Sequence, residues 1–155
     1  MYDKLKRVIE ENKHIVFFGG AGVSTESNIP DFRSQSGIYS KKTYPYPAET
    51  MISHDFFYEH TEAFYDFYFH EMVYPNAQPN PAHLALAKLE ALGKLDAVIT
   101  QNIDGLHQKA RLHRVRLVPH CAGHSGAIVF LRKIIIKLSH NDSAKSLWGS
   151  FRFMS

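Results

Sequence analysis

Two short stretches concentrate the polar chemistry of this 155-residue chain. GGAGVSTES follows the apolar run HIVFF, and TQNIDG completes and follows the run LDAVI. Glycines after a strand let backbone approach a pyrophosphate, whose charge is then met by free amides at a helix start. Gly20 and Gly22 stand in that position. The dinucleotide fingerprint asks for a third small residue three places on, where this chain has Thr25. A strand-ending acid about 20 residues later, the usual ribose ligand, is missing. The Gly-Lys-Ser/Thr of the kinase-type phosphate loop is missing too. By itself the glycine loop reads equally well as a structural turn.

Asp31-Phe32-Arg33 adds chemistry. A flat ring can shield a reactive centre from water, and Arg33 supplies a fixed charge for phosphate or for a helix end. The alternative is that Phe32 belongs to the core and Asp31–Arg33 is a surface ion pair. Gln101, Asn102 and Asp104 offer amide and carboxylate groups suited to ribose hydroxyls or a carboxamide. Asn and Asp also favour turns, which is the plainer reading of the same residues.

The elements that must position these groups follow from periodicity. Asp3 to Asn12 reads as a helix, with Leu5, Val8 and Ile9 at helical spacing. HIVFFGG is a continuous apolar run ending in glycine, as expected of a strand buried on both faces of a parallel sheet. Ser24 to Glu26 opens a helix that Pro30 ends or redirects, and Gly37 to Pro47 reads as loop. In HDFFYEHTEAFYDFYFHEMVYP, Phe57, Phe64 and Tyr68 fall on one helical face. They suit either an aromatic groove or the packing face of a helical insertion, and the usual burial of aromatics favours packing. Asn80 caps the next helix, Pro81 occupies its first turn and Gly93 ends it, with Ala85, Leu89 and Leu92 expected in the core. Leu95 to Thr100 is a second buried strand. Strand, glycine turn, helices, strand is the rhythm of an open α/β sheet, whose ligands bind outside the carboxyl ends of strands. Both polar stretches sit at such ends.

Bulk properties narrow the class. A 45% hydrophobic content supports a real core, and no apolar run approaches the roughly 20 residues of a membrane span. The amino terminus lacks a signal-peptide core, and Cys121 is the only cysteine, which excludes an internal disulfide and a four-thiolate zinc site. A cytoplasmic protein is expected. The formal charge of +3 hides an asymmetry: residues 1–109 hold 10 Lys+Arg against 14 Asp+Glu, a net of −4, and residues 110–155 hold 8 against one, a net of +7. The basic part suits nucleic acid or acidic partners, or else has a different origin.

GAGVSTESNIPDFRSQSGIY and TQNIDGLHQKA resemble the two signature blocks of the sirtuins, NAD-dependent protein lysine deacylases. The resemblance covers Leu5 to about Ala110, with Asn28 where the family usually has glycine, a mild change because Asn tolerates a left-handed backbone. It implies a partial Rossmann-like parallel sheet with a helical insertion, and an NAD site. Gly20, Ala21, Gly22 and Thr25 would line the phosphate end, and Asp31, Phe32 and Arg33 would lie in a mobile loop over the nicotinamide ribose. Gln101, Asn102, Ile103 and Asp104 would surround the nicotinamide and its ribose, Ile103 and Asp104 receiving the carboxamide and Asn102 and Asp104 serving the reaction. Acylated lysine peptides or proteins would be the partners.

In the family, the acyl-lysine carbonyl oxygen attacks the ribose carbon as nicotinamide leaves, and a histidine in a Leu-His-Gly context is the base. Zinc sits on two cysteine pairs. Here RLHRVRLVPHCAGHSG follows instead: His120 falls near the expected distance, but Cys121 follows it. His113 is a poorer match, and the zinc ligands are absent. The expected division is therefore a partial NAD-binding domain over 1–110 and a divergent basic tail over 111–155. A frame shift or truncation near Lys109 would explain both the break and an expected lack of deacylation. Two other functions fit the residues: a non-catalytic module for NAD or ADP-ribose, and a nucleic-acid-binding protein using the tail, which lacks aromatic–basic interleaving.

Overall fold

The structure, a computed structural model, describes residues 2–41 and 43–118. Three parallel strands, β1 (Ile15–Gly19), β2 (Leu95–Thr100) and β3 (Val115–Leu117), lie in the order β1-β2-β3. Gly19 is in register with Thr100, so both polar stretches leave the sheet at the same end. This is the α/β arrangement expected from the sequence. Helix α1 (Tyr2–Glu11) precedes β1. Between β1 and β2 come a 3-10 helix (Ala21–Ser27), a shorter one (Ile38–Ser40), and then α2 (Ala48–Met51), α3 (His54–Glu59), α4 (Thr61–Glu71) and α5 (Pro81–Ala91). Helix α6 (Leu106–Lys109) joins β2 to β3. Among the described residues no helix is long and apolar enough to cross a membrane.

Burial corrects several details of the sequence reading. β2 is the buried strand, with Leu95, Val98 and Ile99 at most 1% exposed. β1 has one partner strand among the described residues, and its Phe18 is 47% exposed. A continuous apolar run marks the strand but not its place in the sheet. Leu5 and Val8 of α1 are likewise exposed. On α5 the buried residues are His83 and Leu86, while Ala85 and Leu92 are exposed and Leu89 is half-buried. The expected stripe was one helical step out of phase, because a histidine occupies the inner face.

The helical insertion has its own core of Ile38, Ala48, Met51, Phe56 and Phe67. Phe57, Phe64 and Tyr68 do meet, Phe57 edge-on to Phe64 at 4.9 Å and Phe64 stacked on Tyr68 at 5.9 Å. They are only half-buried, since the chain breaks at His60 into two helices whose inner anchors are Phe56 and Phe67. A second cluster, Leu86, Leu95, Val98 and Leu112, lies between α5 and the sheet. Burying each such side chain contributes about 1.5–3 kcal/mol.

The ends of α5 follow from its sequence. The Asn80 side chain accepts from the Ala82 and His83 N–H groups, Pro81 fills the first turn, and Gly93 has the left-handed φ of +69° that stops the helix. Beyond α6, the Glu90 carboxylate accepts the backbone N–H groups of His113 (3.0 Å) and Arg114 (2.8 Å), which leads the chain into β3. Burial pushes Glu90 up, but these N–H groups and the His113 ring outweigh it and hold the carboxyl below its ordinary range. The sheet thus runs past Lys109, where apolar periodicity fades. GAIVFLRKIIIKL, His120 and Cys121 lie outside the described residues.

Candidate functional site

The site forms where β1 and β2 end. The Gln101 N–H donates to the Gly19 carbonyl at 3.0 Å, extending the ladder by one bond. The Asn102 N–H then donates to Thr100 Oγ1 at 3.0 Å, turning the chain. That turn aims the Asn102 amide back at the glycine loop, where Nδ2 lies 3.1 Å from both the Gly20 carbonyl and Ser24 Oγ. Ser24 Oγ donates to Asp104 Oδ2 at 2.6 Å, and Asp104 Oδ1 accepts the Leu106 N–H at 2.9 Å. One carboxylate therefore fixes both the start of α6 and a serine of the opposite strand end. Ser24 is 1% exposed.

The glycine loop is held from two further directions. Asn80 Nδ2 donates to the Val23 carbonyl at 2.7 Å, tying α5 to the 3-10 helix. Thr25 Oγ1 donates to the Gly22 carbonyl at 2.9 Å, and Asn28 closes the helix in the left-handed region at φ 61°. A Cβ on Gly22 would meet nothing within 4 Å, whereas one on Gly20 would lie 3.0 Å from Gln101 Oε1. The backbone at Gly22 is thus open to approach and the turn at Gly20 is tight. Ala21 is half-buried, and Ile103 is exposed.

Asp31-Phe32-Arg33 is organised separately. Asp31 Oδ1 accepts the Ser34 N–H at 3.0 Å, and the Asp31 and Phe32 carbonyls accept the Ile38 and Tyr39 N–H groups at 2.8 and 2.9 Å. Phe32 packs on the insertion core, with its ring 5.5 Å from Tyr39. Arg33 lies 5.8 Å over the Tyr39 ring, a cation–π contact and not the ion pair with Asp31 considered above. Burial raises the Tyr39 phenol, with Glu49 adding to the effect and Arg33 opposing it. Gly37 is required here: a Cβ would sit 2.7 Å from Asp31 Oδ1 and 2.8 Å from the Phe32 carbonyl.

Sequence reasoning missed Ser24, Asn80, His83 and His107 as parts of the site. Ser24 lay within the quoted glycine stretch, but nothing in one sequence separates it from Thr25. His83 and His107 are 0% and 1% exposed, with rings 4.7 Å apart beneath the network. His83 Nδ1 lies 3.0 Å from Asn80 Oδ1 and 3.3 Å from the Asn80 nitrogen. Its Nε2 and both His107 nitrogens have no hydrogen-bond partner among the described residues. Burial lowers the pKa of both rings; His83 lowers His107 further, and Asp104 opposes the shift in each. Both are neutral imidazoles at pH 7. The described residues hold no group of three or more His, Cys, Asp or Glu able to take a metal.

The arrangement offers an open backbone, an amide, a hydroxyl and a carboxylate at the carboxyl end of a parallel sheet, where α/β proteins bind ligands. The Sir2 family model matches residues 20–127. The chain is 64% identical over 107 residues to an NAD-dependent protein deacetylase of Clostridium tetani, covering 68% of this chain and 43% of that protein. It is 59% identical over 109 residues to the one of Clostridium acetobutylicum, covering 70% and 44%. Among solved structures, a Sir2 enzyme with a deacetylated p53 peptide and 3'-O-acetyl ADP-ribose aligns with TM-score 0.66 at 44% identity, covering 74% of this chain and 45% of that one. A Sir2 homologue in complex with ADP-ribose aligns with TM-score 0.66 at 40% identity, covering 76% and 46%. This chain spans less than half the length of these relatives. Blocks, fold and similarity agree: the chain belongs to the Sir2 family, the sirtuins, which use NAD.

Proposed function

We propose that this chain carries the nicotinamide-riboside side of an NAD-dependent protein lysine deacylase site. The observation that supports it most is the Asn102–Ser24–Asp104 network, in which half-buried Asn102 and Asp104 flank a buried Ser24 and join the two strand ends. Bound NAD would supply a ribose carbon activated by nicotinamide as leaving group. Gly22 and Ala21, with Thr25, would hold the phosphate end, and Gly20 would keep the turn tight. Gln101 and Asn102 would face the ribose, while Ile103 and Asp104 would receive the carboxamide. Asp31, Phe32 and Arg33 would cover the ribose from the loop side. Acyl-lysine peptides are the proposed protein partners; relatives of known structure include a Sir2 complex with a p53 peptide and NAD and one with a propionylated peptide.

The same reading gives this chain low turnover. These 155 residues hold no Leu-His-Gly segment and a single cysteine, so they supply neither the usual base context nor the zinc ligands, and no step is assigned to zinc. A frame shift near Lys109 is our explanation for the loss of the family pattern there. A cytoplasmic location fits the scarcity of cysteine. Titration of the full chain with NAD and with ADP-ribose tests the binding half: saturable binding that Asp104→Ala weakens at least about tenfold is expected from a charge-assisted hydrogen bond. Binding of neither nucleotide would overturn the reading.

A further inference from the structure

Away from the sheet end, α3 and α4 carry a continuous set of outward rings. Tyr58 stands edge-on to Phe57 at 5.1 Å, Phe57 reaches Tyr65 at 5.9 Å, and Tyr65 stacks on Phe69 at 5.9 Å. Tyr58, Tyr65 and Phe69 are 69%, 44% and 60% exposed and lie outside the insertion core. At about 100° per residue, Glu62 and Asp66 fall on the same arc of α4 as Tyr65 and Phe69. Glu62 and Asp66 are both exposed, and the Asp66 carboxylate lies 3.2 Å from the His70 ring. Charge is one-sided over a long stretch: from Thr43 to Ala87 the sequence holds six Asp+Glu and no Lys or Arg. The Lys41 ammonium reaches back to neutralise Glu71, at the far end of α4 from Glu62.

Aromatic faces attract cations through their quadrupole, and adjacent carboxylates add Coulomb attraction while repelling acidic surfaces. We propose that the Tyr58–Tyr65–Phe69 face, with Glu62 and Asp66, docks a Lys/Arg-rich segment of a partner protein. Alkyl stems lie along the rings, and the charged heads reach the two carboxylates. Arginine is favoured over lysine, because a planar guanidinium both stacks on a ring and pairs with a carboxylate. This surface does not depend on the deacylase reading, since none of its residues belongs to the network at the strand ends.

The full chain is titrated with an unacylated Arg-rich peptide of about eight residues, enough to span α4 at roughly 3.3 Å per residue. A Glu-rich peptide of equal length is the control. Saturable binding of the Arg peptide alone is expected, weakening several-fold between low and high salt. Tyr65→Ser/Phe69→Ser and Glu62→Gln/Asp66→Asn should each weaken it about fivefold or more. The second pair changes only exposed polar atoms, so it reads out the face even where loss of two rings disturbs folding. Equal affinity for parent and Glu62→Gln/Asp66→Asn protein, equal affinity for the two peptides, or no binding overturns the proposal. So does a concentration-dependent dimer that Tyr65→Ser/Phe69→Ser abolishes, which would make the occupant a second copy of this chain.

Discussion

Ser24 and Asp104 stand 80 positions apart in sequence, yet the serine hydroxyl donates to the Asp104 carboxylate at 2.6 Å. The bond closes the glycine loop of β1 against the turn after β2, and the Asn102 amide completes the contact through Ser24 Oγ. Asp104 is thus a structural clasp as well as a proposed NAD ligand. Two variants separate those roles. Asp104→Asn keeps a shape able to accept from the Leu106 N–H and loses the charge, whereas Asp104→Ala loses both.

Asp104→Ala is expected to weaken NAD binding by at least about tenfold, the scale of a hydrogen bond to a charged group. His120→Ala should leave it within about twofold, a change under half of the tenfold step in free energy, because His120 has no family context around it. Calorimetric titration of both variants beside the parent decides the matter. A larger loss from His120→Ala would bring the tail into the site.

The buried pair His83 and His107 sets a pH dependence. Both folded-state pKa values lie below the ordinary imidazole value, mainly through burial, so between the lowered values and about 6.5 the unfolded chain binds more protons than the folded one. Stability is therefore full above about pH 6.5 and falls as the pH drops through that window. Thermal melts from pH 7.5 to 5 should show a declining Tm, and His107→Phe should flatten the decline. An unchanged slope in that variant would remove the pair from the explanation.

Much of the site was legible because it is local. The strand end, the glycine loop, the Asn80 cap and the left-handed Asn28 each follow from neighbours in sequence. What was not legible depends on contacts across the fold. Nothing near Ser24 in sequence announces Asp104, and nothing near His83 announces the His107 ring of α6 that packs 4.7 Å from it. In the insertion, Phe57, Phe64 and Tyr68 keep the spacing of one helix across His60, but the break there moves the inner face to Phe56 and Phe67. The short β3 was missed because three residues with one arginine carry no period, and its place is fixed by Glu90 on another element.

Glu90→Gln tests that anchor. The carboxylate is 12% exposed and accepts two backbone N–H groups at the entry to β3. Removing its charge should cost about 1–2 kcal/mol, a part of what charge-assisted hydrogen bonds contribute. Hydrogen exchange should quicken at Val115–Leu117 while the Asn80 cap of α5 stays protected. Because the folded carboxyl lies below its ordinary value, its stabilisation is present above about pH 4.5 and is lost as the pH falls through the folded value.

Gly37→Ala is expected to displace the segment that carries Phe32 and Arg33. A Cβ 2.7 Å from Asp31 Oδ1 and 2.8 Å from the Phe32 carbonyl forces backbone to move, at about 1–3 kcal/mol. If that segment covers the NAD ribose as proposed, affinity should fall together with Tm, whereas Gly22→Ala, which meets nothing within 4 Å, should leave Tm nearly unchanged. A Gly37→Ala protein with parental Tm would show that the loop tolerates the methyl group.

The last expectation concerns turnover. On the proposed reading the two blocks would orient nicotinamide and ribose, but orientation is one part of the rate acceleration. A general base typically supplies about 10²–10⁴-fold, and the sequence offers none in a recognisable context. Nicotinamide release from NAD with an acetyl-lysine peptide should therefore fall at least about a hundredfold below that of a full-length family member. The assay is run on the same preparation used for NAD titration, so that binding without turnover is seen as such. Peptide-dependent release within about tenfold of the control is more than the loss of a base allows. It would mean that residues 111–155 contribute a base, and alanine variants of His113, His120, His124 and His140 would then identify which histidine it is.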